Sequence, residues 1–361
     1  MFPILLSLLV AVVSAQSALG TTCTITEYSQ VAAVLNSCHD ILVSNLVVPG
    51  GKTLNLGLKT GGSLTFEGTT KFEYDAWDGP LVQVTGKQIT VFGAAGSVLD
   101  GQGALYWNGH GDGEPKKPKF FKIKSTGGSV FQNVNLLNCP RQCVSIGNSD
   151  ELTLRGWNID VSAADQGGLG SNTDGFDISS STNVIIENSS VKNQDDCVAV
   201  NHGSNLLFQN LYCSGGHGIS LSVGMSSTSY AANTVSNVTF SDCTVANSDN
   251  GIHVKTHRDA ATGAVSGVTY RNIKLEGIRN FGINVQQDYQ NGGSTGNPNN
   301  NIPITGLTLT GVTGTMTGSN SVPVYILCGS GGCSGWNWSG VSVTGGAKSS
   351  SCNFTPSGFS C

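Results

Sequence analysis

The chain reads as all-β: a right-handed, single-stranded parallel β-helix closed at its N-terminal end by a short helix. Three observations predict this. From Asp40 onwards, short apolar or β-branched runs such as Ile41-Leu42-Val43 and Ile89-Thr90-Val91 are bounded by Gly, Asn or Ser. Strand starts at Ser129, Glu151, Asn183, Asn205, Asn237, Gly267 and Gly306 step by 22, 32, 22, 32, 30 and 39 residues, as a coil of about 22 residues with loop insertions would. The 361 residues hold 49 glycines against only 11% charged residues, which suits one elongated repeat body better than two globules. A single coil cannot bury its own apolar face, so stacking of coils must supply the core. A propeller or sandwich would need hairpins, and the Asn-Gly turn pairs of hairpins are sparse here.

Taken in order, Met1 to Ala15 is an apolar run ending Val13-Ser14-Ala15, too short to span a bilayer, and reads as a secretory signal peptide with cleavage as late as residue 20. Residues 21–361 then form one domain, expected to be secreted, extracellular and monomeric. No other run approaches transmembrane length, so no membrane partner is expected. Thr26 to Leu35 has Ile25, Val31, Val34 and Leu35 at helical spacing with Thr26 placed as N-cap. Such a helix would cover the apolar end of the first coil.

Eleven cysteines suit an oxidising compartment. Four pairs lie close enough in sequence to staple neighbouring coils: Cys23 with Cys38, Cys197 with Cys213, Cys328 with Cys333 and Cys352 with Cys361. Cys139 with Cys143 is a further candidate, leaving Cys243 as a buried thiol. Asn188, Asn237, Asn337 and Asn353 stand in N-glycosylation acceptor sequences. No pattern suggests a metal site, and no cofactor is expected. A net charge of −5 does not favour a polyanionic partner, nucleic acid included. Any polyanion must be held locally, and the available counter-charges are Lys116, Lys117, Lys119, Lys122, Lys124, Lys255 and Arg258.

Three polar clusters each precede a short apolar strand: Asn172-Thr173-Asp174, Asp195-Asp196 and Gly216-His217-Gly218. Aligning Asn183 with Asn205 places Asp195 on His217. Treating about ten residues around Ala163 to Gly170 as an insertion places Asp174 on Asp196. Paired backbones lie roughly 4.8 Å apart, so successive coils would bring three carboxylates and an imidazole to one spot. A lone Asp in a turn is ordinary in a repeat protein. Three aligned clusters are not, because acids that close must retain a proton, the condition a general acid needs. Beyond them, Ser220, His253 and Asn284 should share one outward column, and Ser222, Lys255 and Gln286 the next. His39, His110, His202 and His257 read as surface or structural.

These clusters resemble the motifs of the polygalacturonases, secreted right-handed parallel β-helix enzymes of the pectin-degrading glycoside hydrolases. The resemblance covers essentially the whole mature chain. Three of the family's four motifs, NTD, DD and GHG, match letter for letter, while the fourth, RIK, is here His253-Val254-Lys255. Lys117-Pro118-Lys119-Phe120-Phe121 and Gln286-Gln287-Asp288-Tyr289 resemble the fungal-type endo-acting members. The resemblance implies that Asp195 is the general acid, that Asp174 and Asp196 activate a water in one inverting displacement, and that His217 keeps the acid protonated. It implies Lys255, His253, Tyr289, Asn172 and Gln286 as substrate-binding residues, with α-1,4-galacturonan as the polysaccharide partner. His253 in place of arginine is expected to meet a substrate carboxylate only while protonated, in mildly acidic solution. The altered fourth motif leaves two other readings open: a secreted pectin-binding pseudoenzyme, and a hydrolase of a substituted pectin such as xylogalacturonan.

Overall fold

The computed structural model describes residues 23–111, 113–290 and 292–361. The expected signal peptide lies outside these residues. The chain winds as a right-handed parallel β-helix. One sheet, the groove sheet, stacks the strands Leu54–Gly57, Val82–Lys87, Phe121–Thr126, Val144–Gly147, Phe176–Ser179, Val198–Val200, Ile219–Val223, Asn250–His257, Phe281–Gln290, Val322–Leu327 and Ser351–Cys352. All pair in parallel; only Gly293–Ser294 adds antiparallel, against Phe281–Gln290. A larger parallel sheet forms the remaining walls of the coil.

Alternation of side chains explains why these sequences form these strands. Val144, Phe176, Val198, Ile219, Ile252, Ile283 and Val324 stack inward in register, one per coil. All are essentially buried. The residue after each points outward, into the groove. On another wall, Phe208, Phe240 and Tyr270 stack with ring centroids 4.5 and 4.8 Å apart.

The strand starts read from the sequence are the coil corners. Glu151, Asn183, Asn205, Asn237, Gly267 and Gly306 all have φ between 51° and 66°, the left-handed region that asparagine and glycine tolerate best. Asparagines at these corners also bond along the helix axis, Asn205 Nδ2 donating to Asn183 Oδ1 (3.0 Å) and Asn237 Nδ2 to Asn205 Oδ1 (2.8 Å). The first expected start is one residue off: Ser129 pairs with Leu152, and Gly128 occupies the corner. A serine there avoids left-handed backbone that glycine adopts freely.

The N-terminal cap is also shifted. A 3-10 turn, Tyr28–Gln30, leads into the helix Val31–Ser37. Thr26 is not its cap. Gln30 Oε1 instead accepts the Thr26 and Glu27 N–H groups, and Glu27 closes the box, because a longer carboxamide reaches back across the turn. The four expected disulfides are present, Cys139 pairs with Cys143, and Cys243 is a buried thiol. All four sequon asparagines are exposed, but Asn353 already binds both backbone groups of Cys328 through its carboxamide. Among the described residues no helix is long and apolar enough to cross a membrane.

Candidate active site

Three consecutive strands of the groove sheet are preceded by the three motifs, and a buried bracket fixes their backbones. Asn193 Nδ2 donates to the carbonyls of Thr173, Asp195 and Asp196 at 2.9, 2.9 and 3.0 Å. Thr173 and Gln194 bond each other through both backbone and side chain, and the Cys197–Cys213 bridge follows directly. No spacing rule marks Asn193; only its position one residue before Gln194-Asp195 hints at it. The glycines around His217 are steric necessities. A Cβ on Gly216 would lie 2.0 Å from the Asp195 carbonyl oxygen, and one on Gly218, where φ is 91°, 2.3 Å from that of Asn250.

The imidazole and the acids therefore meet as expected. His217 Nδ1 is 3.1 Å from Asp195 Oδ1, which also accepts the Asp196 N–H at 2.8 Å. Both lobes of Asp196 are engaged: Oδ1 accepts the Ser220 hydroxyl (2.6 Å) and Oδ2 the Lys255 ammonium (2.9 Å). Lys255 is buried, lies 5.0 Å above the Tyr289 ring, and belongs to the acid cluster as much as to any sugar site.

Charge partition departs from expectation. Burial, then the charges of Asp177, Asp195 and Asp196, push Asp174 well above the usual carboxyl range. Burial also raises Asp177 to about 7, against the pull of Lys119 and Lys255. For Asp195 burial acts upward too, but the His217 hydrogen bond and the His217 and Lys255 charges win and hold it below its ordinary value. His217 is correspondingly raised, the Asp195 contact outweighing burial. Both shifts favour the proton on the imidazole over Asp195 in the free site, because each charge is stabilised by the other across the 3.1 Å contact. The family pattern implied a His217 that keeps Asp195 protonated, whereas in the free site the two shifts run the other way.

His253 differs as well. It is 7% exposed, and neither ring nitrogen has a partner among the described residues. Burial, then the Lys255 and His217 charges, holds it well below the ordinary imidazole range, which disfavours the cation expected in mild acid. His257, read as surface or structural, lines the groove with Nε2 3.0 Å from Ser222 Oγ, and burial lowers it to about 4. Lys117 is no counter-charge: its ammonium turns inward to Asn108 Oδ1 and the His110 carbonyl. Lys116 pairs with Asp78.

Two recesses meet at Asn172, Asp195, Lys255 and Tyr289. One, about 670 Å³, runs back past Asp177 to Lys119; the other, about 580 Å³, runs forward past His253 and Gln286 to Tyr325. In the motif Gln286-Gln287-Asp288-Tyr289, the first and last residues face the groove. Gln287 and Asp288 are buried and tie down loops, Asp288 Oδ2 accepting from Ser294 and from the Gly296 N–H. Asp177 was missed in the sequence, although it lies three residues after Asp174 at an outward strand position that alternation could have found. Asp195, Asp196 and His217 place ligand atoms within 4.8 Å of one another, but Lys255 already occupies Asp196, so this donor set suits proton transfer better than a divalent ion.

The family model for glycosyl hydrolases family 28 matches residues 38–361. The chain belongs to that family. A polygalacturonase of Phaedon cochleariae is 57% identical over 355 residues, 98% of this chain and 96% of that protein. Endopolygalacturonase I from Stereum purpureum, solved with two galacturonates, superposes with a TM-score of 0.80 at 36% identity, covering 91% of this chain and 96% of that one. The endo-xylogalacturonan hydrolase of Aspergillus tubingensis gives 0.77 at 25% identity, covering 94% and 98%. This family 28 chain keeps the acids and the histidine on consecutive coils.

Proposed function

We propose that this family 28 chain is a secreted endo-polygalacturonase that hydrolyses α-1,4-galacturonosyl bonds of pectin. The observation that carries the reading is the Asp195–His217 contact beside Asp174 and Asp196 in a groove that runs past them in both directions. A groove continuing on both sides accepts the interior of a polymer, which favours endo cutting. Five disulfides suit an extracellular enzyme.

Asp195 Oδ1 is saturated by His217 and the Asp196 N–H, so Oδ2 is the oxygen left to face the glycosidic bond. The Asp195–His217 pair holds one proton. A polysaccharide lying over His217 strips water from the imidazolium, and loss of solvent favours the neutral pair, with the proton on Asp195. Asp195 then protonates the departing oxygen while a water held by Asp174 and Asp196 attacks the anomeric carbon from the opposite face and loses a proton to the carboxylates. Burial and the neighbouring acids raise Asp174 and so weaken it as a carboxylate base, and Asp196, fixed by Ser220 and Lys255, is the better-oriented base. Asn172, Lys255, Gln286 and Tyr289 line the subsites.

A reducing-end assay on polygalacturonate with sized products tests the reading. New reducing ends with a spread of oligomer lengths are expected, and NMR of the first product should find the inverted anomer. Binding without new reducing ends would make the chain a pectin-binding pseudoenzyme.

A further inference from the structure

We propose that the groove beyond Lys255 is a subsite for an uncharged galacturonic acid unit, its carboxyl esterified, and that His253 selects it. This rests on the polygalacturonase reading and specifies the substrate within it. His253 stands in the outward column of the groove sheet between Ser220 and Asn284, one coil from each. It is buried, it lines the forward recess, and both ring nitrogens lack a protein partner. A buried polar ring left unpaired costs free energy unless a ligand or water satisfies it. One nitrogen can donate and the other accept, a set that suits hydroxyls, an ester carbonyl or a ring oxygen.

The surroundings disfavour a carboxylate at this place. Among the described residues of the forward recess the cations are Lys255 and His217, and each already faces an acid, Asp196 and Asp195. Asp249, also in the recess, adds negative charge, and the nearby Arg279 is bound to it at 2.8 Å. The other polar side chains that line it, among them Asn280, Asn284, Gln286 and Tyr325, are uncharged. Tyr289 stands edge-on to His253 with centroids 6.3 Å apart, an apolar wall against which a methyl ester can pack. The deep burial of His253 and the charges of Lys255 and His217, which push the imidazole well below its ordinary range, agree with this placement.

The test compares kcat/KM on fully de-esterified polygalacturonate and on highly methyl-esterified pectin. His253→Arg, which introduces a fixed cation able to hold a carboxylate with two bonds, should shift the ratio toward the de-esterified polymer by about tenfold. His253→Gln, which keeps one donor and one acceptor without charge, should keep the wild-type ratio. His253→Leu should lose roughly fivefold or more on the esterified substrate, and it carries the test should His253→Arg not fold by circular dichroism. An unchanged ratio in His253→Arg, or a loss in His253→Gln as large as that in His253→Leu, overturns the proposal. Wild-type protein inactive on both polymers would instead overturn the polygalacturonase reading.

Discussion

The two arms of the groove are built from the same column of the same sheet, yet they offer a polysaccharide opposite things. Behind the acids the outward column reads Asn55, Gln83, Lys122, Ser145, Asp177, with Thr85 and Lys124 beside it. Neither Lys122 nor Lys124 has an ion-pair partner among the described residues, and Lys119 reaches the recess from the adjoining loop. Ahead of the acids the column reads Ser220, His253, Asn284, Tyr325, and the one lysine of the column beside it, Lys255, is spent on Asp196. A chain with net charge −5 therefore concentrates unspent positive charge on one side of its reacting centre. The difference teaches that a polyanion can be gripped by carboxylates on one side of the scissile bond and by hydroxyls and esters on the other.

The largest expected effect lies at the junction the arms share. Asp195→Asn should lower kcat by about 10²–10⁴-fold on every pectin, whatever its length or esterification, with folding and binding retained. A loss confined to one class of substrate would break the idea of a common centre. Asp174→Asn and Asp196→Asn should each be severe and non-additive, since both act on one water.

Next in size is the staple beneath that junction. Cys197→Ser should reduce kcat by roughly tenfold through misplacement of Asp196, whereas Cys352→Ser, at the far end of the coil stack, should leave kcat near wild type at temperatures where both are folded. Equal kinetic losses would mean that the bridge adds only general stability.

The arms themselves are separated by charge removal. Lys122→Gln with Lys124→Gln should raise KM for long polygalacturonate by roughly two- to fivefold at low salt, the scale of exposed ion pairs. kcat and the turnover of very short oligomers should be preserved. Added salt should close the gap, since exposed charges are screened. If KM for long polymer is unmoved at low salt, the backward arm is not a carboxylate track.

The smallest effect is one of stability with pH. Asp177 has a folded value of about 7 against a reference of 3.8, so the native state keeps a proton that the unfolded chain releases. Its contribution is present in acid and is lost as pH rises between about 4 and 7. His253 and His257 act in the opposite sense: their folded values lie below the reference of 6.5, so their contribution grows as pH rises toward it. Subtracting the melting temperatures of Asp177→Asn from those of wild type isolates the first term, and the difference should fall by a few degrees from pH 4 to pH 7. A flat difference would show that Asp177 is ionised throughout, and the backward arm would then be less cationic than it looks.

The sequence by itself determined the coil, the order of the motifs, the short-range disulfides and the column to which each groove residue belongs. Parallel register and a side-chain period of two make these properties readable from spacing: an Asn or Gly at the left-handed corner announces each coil, and alternation assigns each following residue to core or groove. Spacing failed only where a corner glycine or a cap lay one or two residues from its expected place, as at Gly128 and Glu27. Tertiary structure alone decided the charge states. That His217 is raised, that Asp177 joins the site, that Lys117 turns inward and that His253 is lowered all depend on burial and on neighbours from other coils, such as Lys255 reaching Asp196 across 59 residues. The energy of a charge is set by the solvent and the ions around it, and local sequence carries no record of either.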